Sequence, residues 1–194
     1  MEQFIEKGDA LFMAITGGKH TIEEVYALPD GERAELIKGE LYMMATPTST
    51  HQQMLVELLT TIYNYIKRKK GNCRVFPAPF AVLLHNDDST YLEPDISVIC
   101  DNDKLDKQGC HGAPDWVIEI VSPSSKKLDY AIKLSEYQTA GVREYWIVDT
   151  MKKTILVYHL EQDSAPLIYC FTDKIQVGIY EDLEIDFSEI ELLE

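Results

Sequence analysis

The chain has 194 residues and a formal net charge of −15 at neutral pH, with 33 acidic side chains against 18 basic ones. Its 45% hydrophobic and 10% aromatic content is that of a chain able to bury a sizeable core, which excludes intrinsic disorder as its class. The acidic balance opposes non-specific attraction to a phosphate backbone, so any nucleic-acid role must rest on a local patch, a metal ion or a partner.

Residues 1–19 read as an N-terminal extension. The acids of MEQFIEKGD, ahead of the mildly apolar ALFMAIT, are unlike the basic start of a signal peptide. No stretch carries the run of about 20 apolar residues that a membrane helix needs, so a cytoplasmic protein without membrane association is expected. Residues 20–194 contain no repeat, low-complexity tract or linker and read as a single domain. Within it, Thr21 followed by Glu24 is a capping-box pattern for a short helix that stops before Pro29. AELIKGELYMMA reads as a hairpin turning at Lys38-Gly39. Ser49 or Thr50 then caps a long helix in which Leu55, Leu58, Leu59, Ile62, Tyr65 and Ile66 share one face. Lys67 to Lys70 suit its last turn, and Gly71 is expected to end it.

Beyond that helix the pattern changes to strands. CRVF, FAVLL and DISVIC are short apolar or alternating runs broken by Pro77, Pro79 and HNDDST. DWVIEIV, a helix over SSKKLDYAIKLSEYQTAG and the strand EYWIVD have the spacing of a parallel crossover. That helix is expected to be capped by Ser124 or Ser125 and closed by Gly141, with Leu128, Ile132 and Tyr137 at core positions. TILVYHL and PLIYCF extend the sheet in antiparallel fashion, giving a mixed sheet flanked by helices. Cys73, Cys100, Cys110 and Cys170 are scattered, with no CxxC, and read as four reduced, mostly buried thiols rather than a zinc site.

Two acids stand out. Glu119 interrupts the apolar run WVIEIV, and an unpaired buried carboxylate costs several kcal/mol, roughly, unless a charge or hydrogen bond meets it. Asp95 follows Pro94 at the entry of another strand. Adjacent strands can bring two such acids together, where they repel unless a proton or a cation is shared. A divalent Mg²⁺ or Mn²⁺ ion resolves that repulsion, with the Ile120 carbonyl as a further oxygen ligand, and supplies chemistry suited to a phosphodiester. A polar strand residue satisfied by a turn or an arginine is the structural alternative.

AELIKGELY, PTSTHQQML, EPDISVI and APDWVIEIVSPSSKKLDYAIKLSEYQTAGVREYWIVD, in this order, resemble the Uma-two-type family of restriction endonucleases, within the PD-(D/E)xK nuclease fold. The resemblance implies an α/β (α+β) restriction-endonuclease-like domain, a mixed sheet flanked by helices, acting on DNA with Mg²⁺ or Mn²⁺, as a homodimer. It assigns Asp95 as the first metal-binding acid and Glu119 as the second, with Ile120 adding its carbonyl. The wider fold carries its lysine two places after the second acid, where this chain has Val121. Lys133, on the following helix, matches as a migrated replacement. Glu35 matches an N-terminal acid that holds the metal or its waters, Glu40 is a weaker choice for that part, and His51 and Asp129 match supporting or substrate positions.

Simpler readings stand beside these. Lys133 also suits an i,i+4 pair with Asp129, His51 a cap or packing residue, and the basic 67–70 run a solvated helix end. Ser122 to Ser125 read as turn chemistry, since no histidine is placed to activate a serine. Two functions are therefore compatible with the sequence: a metal-dependent DNA endonuclease, and a catalytically inactive dimeric binding or accessory protein on the same fold.

Overall fold

Unbroken burial along the central strands, with successive side chains facing opposite sides, builds a sheet that is covered on both faces. The computed structural model describes residues 14–15, 19–85, 87–162 and 164–193, so most of the expected N-terminal extension lies outside the described residues. In chain order the elements are β1 (Ala14–Ile15), α1 (Ile22–Tyr26), β2 (Ala34–Ile37), β3 (Glu40–Met43) and α2 (Ser49–Lys69). Next come β4 (Arg74–Pro77), β5 (Val82–Leu83), β6 (Ile96–Ile99), β7 (Cys110–His111) and β8 (Trp116–Ile120). A π-helical turn (Leu128–Lys133) runs directly into α3 (Leu134–Ala140), followed by β9 (Glu144–Asp149), β10 (Thr154–His159), β11 (Leu167–Cys170), β12 (Lys174–Gln176) and β13 (Glu184–Asp186).

The main sheet has the order β11-β10-β9-β8-β6-β4. Only β8 and β9 pair in parallel, as expected of the crossover between DWVIEIV and EYWIVD; the other neighbours in this sheet are antiparallel. Trp116, Ile118 and Ile120 of β8, with Trp146 and Val148 of β9, pack with Leu58, Ile62 and Tyr65 of α2. Val117 and Val121, with Tyr145 and Ile147, pack instead with Leu128 and Tyr137 from the π-helical turn and α3. Because successive strand residues face opposite sides, Glu119 belongs to this second face, the one covered by the segment that carries Lys133. A smaller sheet, β1-β3-β2, lies with α1 around a third cluster that includes Ile22, Val25, Leu36 and Tyr91.

Several local expectations hold. The Glu24 carboxylate accepts the Thr21 backbone N–H at 3.2 Å. Lys38 and Gly39, at φ 52° and 83°, form the two-residue turn between β2 and β3, and the left-handed conformation at the second place suits glycine. Others are corrected. Thr48, not Ser49 or Thr50, caps α2, its Oγ1 accepting the His51 N–H at 3.2 Å. The helix ends on Lys70 in the left-handed conformation (φ 54°), before Gly71. The uniform helix expected after Ser125 opens instead with the π-helical turn, in which the Asp129 carbonyl is taken by the Tyr145 hydroxyl at 3.0 Å.

The thiols are also corrected. Cys73 and Cys100 form a disulfide, leaving Cys110 buried and Cys170 exposed as free thiols. Arg74 pairs with Ile99 across β4 and β6, so one further step sets Cys73 opposite Cys100. Their separation of 27 residues conceals this in the sequence. Among the described residues no helix is long and apolar enough to cross a membrane.

One buried acid is explained by the fold alone. Glu144 opens β9, and its carboxylate accepts the Trp146 indole N–H at 2.7 Å and the backbone N–H groups of Gly178 and Ile179 at 3.0 and 2.9 Å. It thereby pins the turn after β12 to the main sheet. Glu144→Ala is expected to destabilise the protein by about 3 kcal/mol or more, because several donors lose their acceptor at once. Urea unfolding followed by tryptophan fluorescence measures it; an unchanged midpoint would remove this acid from the list of structural clamps.

Candidate active site

Continuing the Ile96–Ile118 register by one place sets Asp95 opposite Glu119 at the mouth of the β6–β8 pair. Asp95 is fixed through one oxygen: its Oδ2 accepts the Ile120 N–H at 2.7 Å and lies 3.2 Å from Nε2 of His51. His51 stands in the first turn of α2, so the helix start and the sheet edge are joined through this carboxylate. Ile120 thus holds Asp95 through its amide.

Glu119 meets Lys133, the lysine that the resemblance assigns to this site, and also Tyr137. Its Oε1 accepts from the Lys133 ammonium at 2.9 Å and from the Tyr137 hydroxyl at 2.7 Å. The same ammonium lies 2.9 Å from Oε2 of Glu35 and 3.6 Å from Oδ1 of Asp129. Lys133 and these acids are all buried, between 1% and 3% exposed. Lys133 is therefore no surface lysine in a helix pair: it gathers acids from β2, β8 and its own turn. The position two places after Glu119 is filled by Val121, packed in the core on the same face.

Glu35, His51, Asp95, Glu119, Ile120, Asp129 and Lys133 all line one cavity of about 300 Å³, together with Arg33, Glu93 and the Ser122–Ser125 turn. Glu40 does not join them; it is exposed and accepts the Tyr42 hydroxyl at 2.9 Å. The Ser122–Ser125 hydroxyls bond to one another and to the turn's backbone, as turn chemistry requires. In the basic run, Lys69 pairs with Asp182, and none of Lys67 to Lys70 lines the cavity.

The electrostatics follow from the count of charges. One ammonium faces the buried carboxylates of Glu35, Glu119 and Asp129, so negative charge remains in excess. Burial pushes the Glu119 carboxyl well above the usual carboxylate range; Lys133 opposes this, while Asp129, Asp95 and Glu35 add to it. Burial likewise pushes Asp129 up to about 6, against the pull of Lys133. For Lys133 burial works against the charge, yet Glu119, Glu35 and Asp129 together hold its pKa well above the ordinary lysine value. Burial also disfavours a charged His51, but its bond to Asp95 raises its pKa overall.

The residues suit a hard divalent cation in donor chemistry. The contacts named above fall on Oδ2 of Asp95 and Oε1 of Glu119, so the other oxygen of each is outside them. Oδ1 of Asp129 is buried without a hydrogen-bond partner among the described residues. Excess negative charge and uncommitted carboxylate oxygens are what Mg²⁺ or Mn²⁺ requires. Among the described residues, however, no three His, Cys, Asp or Glu side chains form a ready ligand set, and Lys133 already bridges Glu35 and Glu119.

Three residues join the site that the sequence pattern does not mark. Tyr137, expected at a core position, also donates to Glu119, while Arg33 and Glu93 line the cavity, Glu93 two places before Asp95 in LEPD and Arg33 two places before Glu35. The Glu93 amide donates to Oε1 of Glu35 at 3.0 Å, while the other oxygen, Oε2, faces Lys133.

The shift at Asp129 fixes a pH dependence. Its folded-state pKa of about 6 lies above the ordinary 3.8, so the folded chain holds this proton more tightly than the unfolded chain. Stability is then lost as pH rises from about 4 to about 6, and the loss persists above. Asp129→Asn should gain on the wild type by roughly 1–3 kcal/mol between pH 4 and pH 8. Parallel stability curves for the two proteins across that range, from denaturant titrations, would contradict the assignment.

Comparison with known proteins bears on the family and the fold. The Uma2 family, described as "Putative restriction endonuclease", matches residues 22–188. An uncharacterized protein of Synechocystis sp. is 26% identical over 149 residues, covering 75% of this chain and 77% of that protein. A crystal structure described as a "putative nuclease belonging to DUF820", from Anabaena variabilis, superposes with a TM-score of 0.70 at 22% identity, covering 88% of this chain and 96% of that one. That likeness establishes a shared fold over nearly the whole of both chains. By its sequence match over residues 22–188, the chain belongs to the Uma2 family of restriction-endonuclease-like proteins.

Proposed function

We propose that the protein is a Mg²⁺- or Mn²⁺-dependent endodeoxyribonuclease that hydrolyses phosphodiester bonds, with residues 20–194 as one restriction-endonuclease-like domain. One observation carries the reading: Lys133 bonds to Glu119 in the cavity that Asp95 also lines, although the three come from separate segments. Asp95 and Glu119 are the side chains to hold the cation, with the Ile120 carbonyl as a third ligand. Once bound, Mg²⁺ or Mn²⁺ supplies Lewis acidity to the phosphoryl oxygen, lowers the pKa of a bound water and offsets transition-state charge.

The chain's own groups divide the remaining work. Lys133, held in its charged form by its acidic neighbours, is a hydrogen-bond donor rather than a base. It orients the attacking water and stabilises charge on the phosphoryl group. Tyr137 and Lys133 together fix one oxygen of Glu119, which leaves the other for the cation. Glu35 holds Lys133 from the side of β2, and His51 holds Asp95 from α2. The acidic surface is met by local neutralisation in the cavity and by two copies acting as a homodimer on the two DNA strands.

The second reading is a dimeric binding or accessory protein that has kept the cluster for stability. It is favoured by the same ammonium, which neutralises part of the buried charge without any ion. Calorimetric titration with Mn²⁺ separates the two. Wild type is expected to bind, and Asp95→Asn to weaken binding at least tenfold. Plasmid cleavage should require Mn²⁺ or Mg²⁺ and be lost in Lys133→Ala. A wild type that binds no Mn²⁺ would sink the nuclease reading, and light scattering at the mass of one chain would sink the dimer.

A further inference from the structure

Among the described residues that line the cavity there are two permanent cations, Lys133 and Arg33. Lys133 is enclosed, its side chain only 4% exposed and bonded to Glu35 and Glu119. Its charge is matched within the protein before any substrate arrives. Beside the metal ion and Lys133, a phosphodiester entering the cavity would meet Arg33, the more exposed of these two cationic side chains. Its side chain is 38% exposed, open enough to reach a ligand.

Arg33 is also held in a particular way. Its Nε and Nη2 both donate to one oxygen of Glu93, Oε2, so Nη1 is outside these bonds. The other oxygen of Glu93 accepts the Tyr91 hydroxyl at 2.7 Å. The backbone N–H of Glu93 donates to Glu35, which in turn bonds Lys133. One edge of the guanidinium is thus fixed to a buried carboxylate that is itself tied to the cluster around Lys133. A guanidinium carries five donors in a rigid plane, and those not committed to Glu93 match the oxygens of a phosphate.

We infer that Arg33 forms a phosphate-binding subsite, holding a backbone phosphate of the DNA strand whose cleavage Asp95, Glu119 and Lys133 carry out. The inference rests on the nuclease reading. Glu93 anchors one edge of Arg33 and offsets its charge before substrate binds, so it restrains the subsite. The competing account is that Arg33 serves only to neutralise buried Glu93. The two accounts differ in what the removal of Glu93 does. If Arg33 binds phosphate, Glu93→Gln frees a cation and strengthens DNA binding; if the pair is only structural, both substitutions are equivalent.

The test measures binding of a short fluorescein-labelled DNA duplex by anisotropy, with Ca²⁺ in place of Mg²⁺, across a salt series. Arg33→Gln is expected to weaken binding about tenfold and to reduce the salt slope by about 1, the signature of one lost phosphate contact. Glu93→Gln is expected to bind as tightly as wild type or more tightly, and Mn²⁺ affinity by calorimetry should be unchanged in Arg33→Gln. Arg33→Lys, which keeps the charge without the planar fork, should fall between and serves if the glutamine variant does not fold. Wild-type DNA affinity in folded Arg33→Gln, or equal losses in the two glutamine variants, overturns the subsite while Mn²⁺-dependent cleavage by the wild type leaves the nuclease reading standing. A wild type that binds no duplex removes both.

Discussion

The arrangement around Lys133 is the constraint on which the rest of the structure depends. Its ammonium lies within 2.9 Å of Glu35 and Glu119 and 3.6 Å from Asp129, so β2, β8 and the turn before α3 meet at a single buried charge. Each of those acids would be costly alone in the core, and so would the lysine. None of the segments can leave without exposing the others to that cost. The cluster therefore ties β2 of the small sheet to β8 of the main one through Lys133. Burial, with smaller contributions from the neighbouring acids, raises the carboxyls of Glu119 and Asp129 against the pull of Lys133.

The sheet makes this cluster possible by separating its two faces. Even-numbered residues of β8 fill the core beneath α2, whereas Val117, Glu119 and Val121 face the helix side that carries Lys133 and Tyr137. The π-helical turn contributes a second condition. With its Asp129 carbonyl bonded to Tyr145, it buries Asp129 and Lys133 together against Glu119. An unusual turn within a helix is often found at a functional site, and here it carries both titratable groups. The substitution of Val121 for the lysine of the wider fold is then compatible with a charge in the same cavity, reached from the helix instead of the strand.

Around this centre the structure is layered by how completely charge is satisfied. Glu144 is bonded to three N–H groups and belongs to the scaffold. Asp95 and Glu119 are each fixed through one oxygen. Arg33 is fixed at one edge and open at the other. Glu144 is thus fully satisfied within the protein, whereas Asp95, Glu119 and Arg33 keep hydrogen-bonding atoms outside their named contacts.

Local pattern was enough for much of the fold. The helical spacing of Leu55, Leu58, Ile62 and Tyr65, the turn at Lys38-Gly39 and the apolar strands on either side of residues 124–141 are written in short windows, because side-chain periodicity and turn chemistry act over a few residues. Glu119 was legible as an anomaly for the same reason: one charge in an apolar run demands a partner. The partner itself was beyond local pattern. That Lys133 and Tyr137 meet Glu119, that Glu93 joins Arg33 to Glu35, and that Cys73 bonds to Cys100 depend on strand register and on a helix folding back over the sheet. Residue types and periodicity by themselves determined the elements, the buried faces and the existence of a buried acid needing compensation. Only the tertiary structure decided which charges compensate it, because contacts between residues far apart in the chain are set by register and packing rather than by spacing.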